Sequence, residues 1–138
     1  MEATRDGREL YADQLALRAY EVRGLAALGR VEAIRRVIDE SLELQPGFWT
    51  AGYVMRVAAL ELRAHGYAKE GQNFAREALE WARSRKPQDA ETRENRWLMG
   101  EILYLLGHLQ EAREFYLGLA EGIAIYGLVV SILLLGRI

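Results

Sequence analysis

Gly66 and Gly71 stand at the spacing of a phosphate-binding loop, where backbone N–H groups cradle phosphates. That chemistry needs Lys and then Ser or Thr directly after the second glycine, to reach the phosphates and magnesium. The chain has Gln72 and Asn73 there, so Gly66 reads instead as a helix-closing residue and Gly71 as a helix-crossing residue. His65 and His108 each adjoin a turn glycine, with no second histidine or cysteine near enough in sequence for a metal site. A catalytic histidine also needs an orienting partner and a nucleophile, and the sequence offers neither in a recognisable arrangement. Glu40 and Glu43, and Glu111 and Glu114, are spaced as solvated helix faces. Arg83, Arg85 and Lys86 cluster where a helix is expected to end, a place where the helix dipole favours cations. These residues predict no catalytic site, no metal and no cofactor.

Composition narrows the class. The 138 residues are 51% hydrophobic, enough for one domain with a core. Eighteen basic and twenty acidic residues leave a net charge of -2, which gives no broad attraction to nucleic acid or anionic membrane. The absence of cysteine excludes disulfides, Cys-ligated zinc, iron–sulfur clusters and thiol nucleophiles. The charged first eight residues are followed by no apolar run, so no signal peptide is expected and the expected setting is cytoplasmic. Two prolines, abundant Ala, Leu, Glu and Arg, and few β-branched residues outside the C-terminal end favour an all-α fold.

The elements that must position any site follow from periodicity. Tyr11, Leu15, Val22, Leu25 and Ala26 mark one face of a first helix that stops at Gly29. A second carries Val31, Ile34, Val37, Ile38 and Leu42 inward and ends before Pro46. The phrase recurs: Met55, Ala58, Ala59 and Leu62 up to Gly66, then Phe74, Ala75, Ala78, Leu79 and Ala82 toward Pro87. A third pair, capped by Asp89, carries Trp97, Met99, Gly100, Leu103 and Leu106 to Gly107, then Leu109, Ala112, Phe115, Tyr116 and Leu119. A last helix is expected from about Ile123 to Leu135, closed by Gly136. The turn glycines at 29, 66, 107 and 136 bracket the period of helix-pair repeats.

The third unit, with Met99, Gly100, Leu103, Gly107, Ala112, Tyr116 and Leu119, resembles the tetratricopeptide repeat family. Ala58, Ala59, Leu62, Gly66, Gly71, Ala75 and Ala78 of the second unit follow that pattern without its aromatic, and Gly29, Ile34, Ile38, Ser41, Leu42 and Pro46 mark the first. The resemblance covers about residues 15–136. It implies a right-handed α-α superhelix of about seven antiparallel helices, three pairs plus an unpaired C-terminal helix. The approximate repeats are 10–46, 48–87 and 89–121, with a partial repeat at 122–138, within one domain spanning 1–138. Residues 60–66 and 78–85 also resemble helical-repeat regions appended to bacterial multidomain regulators.

In that family ligands usually lie along the concave face of the first helices. Aligning Gly66 with Gly107 places Tyr53, Arg56, Leu60 and Arg63, and Glu94, Trp97, Glu101 and Tyr104, on that face, with Arg23 joining from the first repeat. The resemblance thus implies a scaffold or adaptor binding a peptide or protein segment, unless Trp97 and Tyr104 pack between repeats. Aromatics beside arginines suit acidic and apolar side chains. The family's carboxylate clamp needs Lys and Asn at set places that this sequence does not show.

The stretch 122–136 is apolar all round and carries no charge. A membrane-spanning helix needs about twenty such residues, so the expectation is a repeat helix lacking its mate. Ile125, Leu128, Ile132 and Leu135 then become candidates for self-association, and oligomerisation is the alternative role for the chain.

Overall fold

The computed structural model describes residues 2–44, 50–86 and 92–136. Among them the chain is all-helical, with α1 Glu2–Ala27, α2 Val31–Glu43, α3 Ala51–Ala64, α4 Ala68–Arg83, α5 Arg93–Leu105 and α6 Leu109–Leu135. The chain divides into two compact units, Met1–Ser84 and Arg85–Ile138.

In the first unit α1 packs on α2 and α3, and α3 packs on α2 and α4. Leu15, Ala19, Val22 and Ala26 of α1 are buried with Ile34, Val37 and Ile38 of α2, at the i, i+3, i+4 spacing that keeps one face inward. All the residues expected inside α3 and α4 are buried, from Met55, Ala58, Ala59 and Leu62 to Phe74, Ala75, Ala78, Leu79 and Ala82. Small residues let these two helices approach closely. A Cβ on Gly71 would lie 2.7 Å from the Ala59 carbonyl oxygen.

The hairpin turns repeat in detail. Gly29, Gly66 and Gly107 adopt φ of 68°, 91° and 79°, the left-handed conformation that favours glycine. At each, the glycine N–H donates to the carbonyl three residues back and the next N–H to the carbonyl five residues back. The longer bonds run from Arg30 to Leu25 (3.0 Å), Tyr67 to Leu62 (2.8 Å) and His108 to Leu103 (2.9 Å). This is the Schellman closure, which satisfies helix-end carbonyls. In each case the residue after the glycine caps the next helix with ψ of 71°, 57° or 64°. Successive turns also touch, because a Cβ on Gly29 would run into the Tyr67 hydroxyl.

In the second unit α5 pairs with α6. Leu98, Ile102, Leu103 and Ala112 are buried between them, and a Cβ on Gly100 would lie 3.4 Å from Phe115 and Tyr116.

Several expectations need correction. The break placed between 121 and 122 is absent, and one helix of 27 residues runs through it. A glycine inside a helix costs only about 1 kcal/mol relative to alanine, and α6, which also holds Gly118 and Gly127, contains neither a proline nor a left-handed residue to end it. The partial repeat 122–138 and the unpaired last helix are therefore the second half of α6 over its described length. Gly136 has φ of -67° and does not share the turn of the other three glycines. The first helix begins at Glu2 rather than near residue 10.

Helix α3 begins at Ala51, where the Thr50 hydroxyl accepts a hydrogen bond from the Tyr53 N–H. Thr92 plays the same part for α5, accepting from the Asn95 N–H. Asp89, expected as that cap, lies outside the described residues, as do Pro46 and Pro87. Leu42 is exposed and Ser41 buried in its place, because 34, 37, 38 and 41 share one face. The Ser41 hydroxyl donates to the Val37 carbonyl at 2.7 Å, so its burial leaves no unmet polar group.

Candidate binding surface

The phosphate-loop reading fails on geometry. Gly66 closes α3, and Gly71 lies buried inside α4 against the backbone of α3, where no phosphate fits. His65 Nε2 lies 3.7 Å from Glu61, and His108 Nδ1 lies 3.7 Å from Glu111, each within its own stretch of chain. Among the described residues no group of three His, Asp or Glu side chains is placed to hold a metal. Arg83 lies in the last turn of α4, as the helix dipole favours. Glu40 is engaged by Arg18, whose Nη1 reaches Glu40 at 3.0 Å and Glu21 at 3.1 Å.

The residues expected on a concave groove divide between the two units. In the first, Tyr53, Arg56, Leu60 and Arg63 follow one another at three- and four-residue steps along α3, hence on one stripe. Thr50 fixes where that stripe starts. The Arg56 guanidinium lies over the Tyr53 ring, 5.6 Å from its centroid. From α1, Arg23 reaches Glu61 on α3 at 3.7 Å and lies 5.4 Å from the centroid of Tyr20. The Arg23–Glu61 pair therefore links α1 to α3.

Tyr20 is 67% exposed and is missing from the sequence-derived set. Its signal was its place three residues before Arg23 on the same helix face. Arg23, Arg56 and Arg63 thus lie along these two helices with Tyr20, Tyr53 and the half-buried Leu60.

In the second unit Glu94, Trp97, Glu101 and Tyr104 form a stripe with the same spacing on α5. Trp97 is 46% and Tyr104 60% exposed, while Leu98, Ile102 and Leu103 behind them supply the core. The two aromatics are therefore surface groups of that hairpin. With two carboxylates the stripe has the opposite charge character to the α1–α3 surface.

A second cluster was invisible to periodicity. Arg35 on α2 donates through Nη1 to both carboxylate oxygens of Glu77 on α4, at 2.7 and 2.6 Å. The same guanidinium lies over the Phe74 ring at 4.7 Å. Its partly exposed side chains tie α2 to α4.

No protein-family model, no curated protein and no solved structure matches the chain.

Proposed function

We propose that the chain is a non-catalytic adaptor of stacked helix pairs, arranged as in tetratricopeptide superhelices, whose α1–α3 face takes a peptide segment bearing acidic and apolar side chains. The observation that carries this reading is a ring lying beside a guanidinium on each of two packed first helices, Tyr20 with Arg23 on α1 and Tyr53 with Arg56 on α3, with Arg23 reaching across to Glu61 of α3. Such rings supply apolar contact area at little conformational cost, and the arginines pair with carboxylates. The repeat architecture is supported by the threefold recurrence of one hairpin closure and by α1 packing on both its mate α2 and the next first helix α3.

Selection from a displayed library of random peptides tests the proposal. The wild-type chain is expected to enrich sequences that combine Asp or Glu with Leu, Phe or Trp. Arg56→Glu and Arg23→Glu should each weaken a selected peptide by about tenfold or more, equivalent to roughly 1.4 kcal/mol. Trp97→Ala should leave that binding unchanged. Failure to enrich any sequence, or equal binding by the arginine variants, overturns the assignment.

A further inference from the structure

At about 1.5 Å per residue, the 27-residue α6 is about 40 Å long and its 13-residue mate α5 about 20 Å. The two run as a hairpin from Gly107, with Gly100 against Phe115 and Tyr116 and the Arg96 guanidinium 3.0 Å from the Cβ position of Gly118. Arg96 already lies in the first turn of α5, so α6 continues past its partner. Beyond that point, among the described residues, Ile125, Leu128, Ile132 and Leu135 are each between 59% and 69% exposed, as are Leu133 and Leu134. An isolated segment of this length is marginally stable in water and is stabilised chiefly by packing.

The four residues are spaced three, four and three apart, alternating Ile and Leu. This is the a and d spacing of a coiled-coil seam, and Ile at a with Leu at d favours two parallel strands. Such a seam is self-complementary, and no charge between 122 and 136 opposes its pairing with itself. With Val129 beside it, five side chains of roughly 100 Å² each would be covered per copy, about 1,000 Å² in all, the lower bound for a specific interface. Among the described residues no helix is long and apolar enough to cross a membrane.

We infer that the overhanging end of α6 pairs with the same segment of a second copy of this chain, in parallel, through Ile125, Leu128, Ile132 and Leu135. The inference is independent of the peptide surface on α1 and α3.

Sedimentation velocity of the full chain over a hundredfold range of concentration is expected to show a monomer–dimer equilibrium. Leu128→Lys and Ile132→Lys should each weaken it at least tenfold with an unchanged far-ultraviolet circular dichroism spectrum. Leu134→Lys, off the seam, should dimerise as the wild type does. Because the chain has no cysteine, Leu135→Cys provides a single thiol, which should oxidise to a dimer only if the strands run parallel.

A wild-type chain that stays monomeric throughout overturns the inference. So does equal loss of assembly in Leu134→Lys and Leu128→Lys, which would indicate unspecific association. Failure of Leu135→Cys to cross-link while dimers persist overturns the parallel arrangement. Flotation of an otherwise monomeric chain with phosphatidylcholine vesicles assigns the segment to lipid and overturns it as well.

Discussion

Replacing Gly71 by alanine probes a close helix crossing in the first unit. The added Cβ would lie 2.7 Å from the Ala59 carbonyl oxygen and 3.3 Å from the Arg63 nitrogen, both backbone atoms that cannot rotate away. Relief requires α3 and α4 to separate by about half an ångström, and overpacking of this kind costs about 1–3 kcal/mol. The substitution also removes a helix-interior glycine, which by itself is worth about 1 kcal/mol in favour of alanine.

Gly24→Ala supplies the reference, since Gly24 is helical, lies in the same unit and has nothing within 4 Å of its Cβ position. The propensity gain is common to both variants, so their difference isolates the crossing. Gly24→Ala should stabilise by about 0.5–1 kcal/mol, and Gly71→Ala should fall about 1–3 kcal/mol below it. Urea titration followed by circular dichroism at 222 nm would read this difference. With a slope of about 2 kcal/mol per molar urea, the midpoints should differ by about 0.5–1.5 M. Equal midpoint shifts of the same sign in the two variants would refute the close crossing at Gly71.

Further outcomes follow from the same structure. Gly29→Ala must hold a left-handed backbone at about 1–2 kcal/mol and displace the Tyr67 ring. Adding Tyr67→Ala to it should recover part of the loss in urea titration, and purely additive losses would contradict the stacked turns. Arg35→Leu should destabilise the first unit by about 0.5–1.5 kcal/mol, a modest figure because both side chains of the ion pair are partly exposed. A double-mutant cycle with Glu77→Leu should return a favourable coupling, and none would contradict the tie. Thr92→Ala and Thr50→Ala should each cost about 1 kcal/mol of capping energy. Faster amide exchange should be confined to the first turns of α5 and α3 respectively, and protection unchanged there would contradict the caps.

The hairpin turns and the interiors of α3 and α4 were legible because each rests on a local rule. Glycine is favoured where the chain turns left-handed, as at Gly29, Gly66 and Gly107, and small or apolar residues recur at helical spacing from Met55 to Ala82. What was misread depended on competition between weak local terms. Leu42 suits an inward face by residue type, whereas the face is set by period and Ser41 occupies it, its hydroxyl meeting its hydrogen-bonding need on Val37. Gly122 resembles a boundary in sequence, yet like Gly118 and Gly127 it lies inside one continuous helix, because a helical glycine without a left-handed turn is a weak break.

The candidate site was read in part. The α3 stripe follows from spacing alone, but Tyr20 entered only once α1 was seen packed on α3. The Arg35–Glu77 pair links residues 42 positions apart. No periodicity within a helix encodes such a contact.

The central claim is that the α1–α3 face binds a peptide segment. Its most direct test is titration of the isotopically labelled chain with a peptide selected on it, followed by amide and side-chain chemical-shift mapping. The account predicts saturable shifts centred on Tyr20, Arg23, Tyr53, Arg56 and Leu60. Shifts confined to α5 and α6, or no saturable shift at all, would contradict it.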